Sequence, residues 1–140
     1  MKILALFIFI AQLLSTSAIA DPVKLDVSVP KNSKGLLTLV LYSNPDDFLG
    51  ENGTLYTFEL PPSKTQFEID LGDLSPATYA LVAFIDENGN GQMDKKLLGI
   101  PKEPIGFSEA KMQLFGPPSF EKASFKVPTK SSIELVIERH

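Results

Sequence analysis

Hydrophobic and polar residues alternate with a period of two through much of the chain beyond residue 22. Val23, Leu25, Val27 and Val29 alternate with Lys24, Asp26 and Ser28, the pattern of a strand with one buried face. Residues 55–60 repeat it, with Tyr56, Phe58 and Leu60 on one side. Phe67, Ile69 and Leu71 follow, then Ala123, Phe125 and Val127, and last Ile133, Leu135 and Ile137. Two runs differ. Residues 36–42 are almost continuously apolar, and residues 77–85 are apolar on both faces, as suits a central strand. Pro30, the turn Asn44-Pro45-Asp46-Asp47 and Pro61-Pro62 close three of these strands. All 11 prolines fall at strand ends or in gaps, where a missing N–H does no harm, and no stretch has a helical period. About seven short strands with such spacing predict an all-β fold: an antiparallel Greek-key β-sandwich, immunoglobulin-like or transthyretin-like. Tyr79 follows a Pro76 turn just inside a strand. It reads either as a tyrosine corner, with its hydroxyl bonded to upstream backbone, or as an ordinary core residue. Asn52-Gly53-Thr54 fits a glycosylation sequon and equally a common turn.

The first 20 residues break the pattern. Lys2 precedes an apolar run over residues 3–14, and Ala18-Ile19-Ala20 has the small-x-small form of a cleavage site. The run is shorter than the ~20 residues a membrane span requires. Residues 1–20 therefore read as a signal peptide and residues 21–140 as a single β-sandwich domain. The expected location is periplasmic or secreted, with no stable membrane insertion after cleavage. The formal net charge is −4 at pH 7, and loss of Lys2 makes it one unit more negative. That balance argues against a nucleic-acid partner, because phosphate binding needs clustered Lys and Arg. The chain has no Cys and a single His, His140, which removes disulfides, thiolate nucleophiles and most His-based sites.

The most informative stretch runs from Asp86 to Asp94. Asp86, Asn88, Asn90 and Asp94 fall at positions one, three, five and nine of a D-x-N-x-N-G calcium loop, with Gly91 at six. Ca²⁺ is hard and takes oxygen ligands. Alternate residues of a tight loop point inward, and glycine at six allows the turn that brings the Gln92 carbonyl, at seven, toward the ion. The expected ligands are Asp86, Asn88, Asn90, Gln92 and Asp94. Position twelve, where a bidentate Glu belongs, is Leu97, so Glu103, Glu109 or Glu87 would have to complete the set. Binding on the order of 10⁻⁴ to 10⁻³ M is expected for such a site. The competing reading is a bare turn, because Asn, Asp and Gly also favour turns for backbone reasons, with Lys95 and Lys96 neutralising the carboxylates.

Residues 95–120 combine four prolines and three glycines with many apolar side chains. The plainer reading is a cap over one open end of the sandwich. The sharper one is a ligand groove lined by Phe107 and Phe115, with calcium holding its rim.

Leu74-Ser75-Pro76-Ala77-Thr78-Tyr79, the acidic loop, the run from Leu98 to Ser108 (Leu-Gly-Ile-Pro-Lys-Glu-Pro-Ile-Gly-Phe-Ser) and Pro118-Ser119-Phe120-Glu121-Lys122-Ala123 occur in that order. Together they resemble domain-of-unknown-function family 2141, small exported bacterial proteins. The resemblance spans Val23 to Glu138 and departs from the family's pattern at Ala77, where a Gly is common. It implies an exported β-sandwich of unsettled function and supplies no catalytic residue.

Ser108 and Ser119 qualify as nucleophiles by residue type only, and a glycosidase pair drawn from Asp86, Asp94 and Glu103 would compete with calcium for the same oxygens. The chain is therefore expected not to be an enzyme. The sequence reading is an exported, monomeric, calcium-stabilised binding or accessory module of the cell envelope, its protein or glycan partner left open. The alternatives are a metal-free structural or protein-interaction domain and, behind it, a hydrolase.

Overall fold

The computed structural model describes residues 22–140 apart from 62, 130 and 131, so the expected signal peptide lies outside the described residues. Eight strands follow in chain order: β1 (Lys24–Ser28), β2 (Leu36–Tyr42), β3 (Thr54–Glu59), β4 (Gln66–Asp70), β5 (Ala77–Asp86), β6 (Ile105–Phe107), β7 (Ser124–Val127) and β8 (Ile133–Val136). One sheet has the order β4-β1-β8. The other has the order β3-β2-β5-β6, with β7 also on β5. The chain is all-β, and the seven expected strands are all present. The eighth, β6, was hidden by its length of three residues behind Pro104.

The period-two pattern builds the space between the sheets. Leu25 and Val27 of β1, Leu37, Leu39 and Leu41 of β2, and Leu81, Ala83 and Ile85 of β5 are all buried there with Ile133 and Leu135 of β8. The pairing is not wholly antiparallel as the sequence suggested. β1 and β8 run parallel, with Leu25 opposite Ile133 and Val27 opposite Leu135. No turn joins these two strands, so only their inward apolar faces set direction and register.

The two-sided apolar character of β5 has a direct cause. Its residues Ala80, Val82 and Phe84 point away from the sheet interface into a second cluster with Ile105, Phe107 and Phe120. The proline-rich segment thus covers the outer face of the five-stranded sheet, not an open end of the sandwich. Phe48 adds to this cover, edge-on to Tyr42 and Phe120 at ring-centroid distances of 5.4 and 5.7 Å. One helical turn, α1 (Phe120–Ala123), buries Phe120 and Ala123 there.

The Tyr79 hydroxyl donates to the Ser75 carbonyl at 2.9 Å, the upstream contact a tyrosine corner requires. Asn52 donates through its side-chain amide to Asp47, a turn contact.

Candidate functional site: the acidic loop and the adjoining groove

β5 ends on Asp86, which is only 2% exposed although its neighbours in the loop are open to solvent. A buried carboxylate needs partners, and the backbone supplies them. One Asp86 carboxylate oxygen accepts from the N–H groups of Gly89 and Asn90, at 2.7 and 3.2 Å. The other accepts from Gly91 at 2.8 Å. Gly89 and Gly91 both have positive φ, +73° and +74°, and this wraps the chain around the carboxylate. The next oxygens follow suit. The Asn88 side-chain oxygen accepts from the Asn90 N–H, and the Asn90 oxygen accepts from the Gln92 N–H. The two Asn amides then donate to Asp94, one to each carboxylate oxygen, at 2.6 and 3.2 Å. Asp86, Asn88, Asn90 and Asp94 therefore do converge. From Gln92 only the backbone N–H enters the network.

Of the three carboxylates considered as a completing group, Glu103 is the one at the loop. It is 3% exposed and accepts from the N–H of Glu87 at 2.8 Å and of Asp94 at 3.1 Å, so it staples the two ends of the loop together. Glu87 turns outward to Arg139, which it holds in an ion pair that raises the guanidinium pKa. Glu109 instead borders a small pocket with Phe107, Lys111 and Glu134, and Leu97, at position twelve, is 89% exposed. Lys96 donates to the main-chain oxygen of His140 and not to a loop carboxylate. Among the described residues no Lys or Arg nitrogen makes a salt bridge with Asp86, Asp94 or Glu103. Among the same residues no three His, Cys, Asp or Glu side chains are grouped so as to hold a metal ion. The oxygen set consists of two carboxylates, two amide oxygens and backbone, with Glu103 behind it. Each amide oxygen keeps a second lone pair beyond its N–H bond. The amide nitrogens of Asn88 and Asn90, by contrast, face Asp94.

The segment leaving the loop borders a groove of about 580 Å³ over the outer face of the second sheet. The buried Tyr42, Val82, Ile105 and Phe107 form its floor, and Met93, Ile100, Met112, Leu114 and Phe115 add to its lining. Leu114 and Phe115 sit at the tip of a tight reversal closed by reciprocal Gln113 and Gly116 backbone bonds, 89% and 98% exposed. Phe107 and Phe115, singled out in the sequence, do line one groove. The four-residue floor was not legible, because it draws on β2, β5 and β6 at once. Burial pushes the Tyr42 phenol pKa up, and its hydroxyl donates to the Gly50 carbonyl.

Ser108 lies where the edge of β5 passes from β6 to β7. Its fully buried hydroxyl accepts from the Leu81 N–H at 2.8 Å and donates to the Ala123 carbonyl. It thus serves two backbone groups that neither flanking strand reaches. Ser108→Ala leaves both without a partner and is expected to lower the unfolding free energy by about 2–3 kcal/mol, read by urea denaturation. A loss below ~0.5 kcal/mol would show that water replaces the hydroxyl. The Ser119 hydroxyl is bonded to Glu121, whose carboxyl is held below its ordinary pKa by its own N–H and by that hydroxyl.

A family model described as an uncharacterized protein conserved in bacteria (DUF2141) matches residues 25–134, a stretch that includes the acidic loop, Glu103 and the floor of the groove. Neither the comparison with curated proteins nor that with solved structures returned a match.

Proposed function

The chain belongs to DUF2141, a family of bacterial proteins, and on that premise we propose that it is an exported, monomeric binding module of the cell envelope, locked by a weakly held calcium ion. The observation that supports the reading is the joining of Asp86, Asn88, Asn90 and Asp94 in one hydrogen-bonded loop at the end of β5, with no Lys or Arg in salt-bridge contact with Asp86, Asp94 or Glu103 among the described residues. Two carboxylates and two amide oxygens within nine residues make an all-oxygen donor set, and such a set favours a hard cation. Asp86, Asn88, Asn90, Asp94 and the Gln92 carbonyl would hold it, with Glu103 compensating for Leu97 at position twelve. The ion's task is structural: it ties the end of the central strand to the segment that forms the groove wall.

Export rests on the leader at residues 1–20. Within the all-β class the module is taken as an immunoglobulin-like or transthyretin-like Greek key, supported by the Tyr79–Ser75 corner. It binds and does not catalyse, since the Ser108 hydroxyl is committed to backbone.

At free calcium 100-fold above Kd the melting temperature is expected to rise by about 10 °C, equivalent to ~2.7 kcal/mol. Asp94→Ala should abolish that rise while changing metal-free stability by less than ~1 kcal/mol, because its carboxylate is bound only by the two Asn amides. A melting temperature indifferent to both calcium and chelator overturns the metal reading. A metal-free protein-interaction domain then takes its place, favoured by the fact that every side-chain oxygen of Asp86, Asn88, Asn90 and Asp94 already accepts a hydrogen bond from the chain itself.

A further inference from the structure

We propose that the groove beside the acidic loop binds a single-chain amphipathic acid, an acyl chain ending in one anionic head group, with the chain along Phe107 and Val82 and the head at Lys95. Three observations converge on this class of ligand. The volume, about 580 Å³, lies in the range of small-ligand sites, about 300–1,000 Å³, and falls short of a protein-sized footprint. The lining is dominated by aliphatic, thioether and aromatic groups. Met93 and Met112 both belong to the lining, and unbranched thioethers adapt to a flexible chain better than to a rigid polar sugar.

The third observation is charge. On a chain with 17 Asp and Glu against 13 Lys and Arg, no carboxylate side chain lines this groove. Its polar members are Lys95, Gln113 and His140. Lys122 reaches the rim by donating to Gln113, whereas Lys96 is taken up by the main-chain carboxylate oxygen of His140. Lys95 and Lys122 beside an apolar slot, on a chain that is acidic as a whole, complement an anion with a hydrocarbon tail. Phe115 and Leu114, exposed to 98% and 89%, border the slot on a tight two-residue tip. A bound chain would give these two side chains an apolar surface to cover.

The test uses dansyl-labelled undecanoic acid as the probe and the matching dansyl alcohol as its neutral control, at saturating calcium so that the result is separate from the melting test of the loop. Saturable enhancement with one acid per chain is expected, with the alcohol bound about tenfold more weakly. Lys95→Gln should remove that preference by weakening the acid alone, and Phe115→Ser should weaken both ligands severalfold. Both positions face solvent, so neither change threatens the fold. Equal binding of acid and alcohol, or an acid affinity indifferent to Lys95→Gln, overturns the assignment of the head group. Absence of saturable binding overturns the site. Attachment to phosphatidylglycerol vesicles without binding of the free acid overturns it in favour of a membrane-surface contact by the Leu114–Phe115 tip.

Discussion

Gly35→Ala is expected to lower the unfolding free energy by about 4 kcal/mol, the sum of a backbone penalty and a steric one. Gly35 has φ +110°, where an L side chain is strained. A methyl group there would lie 2.1 Å from the main-chain oxygen of Asp86 and 2.9 Å from its carbonyl carbon. The clash is with backbone, so no rotamer relieves it. β2 and β5 meet at this point, Leu36 opposite Asp86, and any retreat would pull the first residue of the acidic loop out of register. The variant should therefore lose both stability and the calcium-dependent gain in melting temperature. Urea denaturation followed by tyrosine fluorescence, unobscured because the chain has no Trp, would measure it. A loss under ~1 kcal/mol would mean that the ends of these strands part easily.

Asp86→Ala should be almost as damaging in the absence of metal, at about 4 kcal/mol. Three backbone N–H groups lose a charged acceptor, each bond contributing ~1.5 kcal/mol at the lower end of the range, which applies because the donors can recover water. Asp86→Asn separates charge from shape. Its remaining oxygen can keep the bonds to Gly89 and Asn90, while an amide nitrogen cannot accept from Gly91, so the loss should fall to about half. If the Ala and Asn variants were equally stable, the loop would be held by Glu103 and by the Asn88 and Asn90 turns, and the Asp86 network would be redundant. The contrast with Asp94→Ala is the informative part. Asp86 serves the fold and the proposed ion together, whereas the half-buried Asp94 carboxylate is bonded only to the two Asn amides and serves the ion.

Much of this was visible in the residues. The inward set Leu25, Val27, Leu81, Ile85, Ile133 and Leu135 follows directly from a period of two, and so does the double burial of β5. The oxygen-bearing positions of the loop were legible because their chemistry depends on spacing within nine residues. Glu103 could be named as a candidate but not chosen over Glu109 or Glu87. The choice depends on which of the three the return of the chain toward β6 brings next to the N–H groups of residues 87 and 94. β6 escaped notice for the same reason. Its two apolar residues around Gly106 mean little until Val82 and Phe84 are set opposite them. Ser108, by residue type a nucleophile candidate, is bonded only to backbone, which no local pattern reveals.

Local periodicity and turn chemistry decided the all-β class, the strand positions and the loop's donor set, because each depends on neighbours a few residues apart in the chain. The parallel pairing of β1 with β8, the outer face covered by the proline-rich segment, the stapling by Glu103 and the floor of the groove were decided only by tertiary structure. They join residues dozens of positions apart, and such contacts are selected by the burial of complementary apolar faces and by the need of buried polar groups for partners, forces that act between surfaces and not along a sequence.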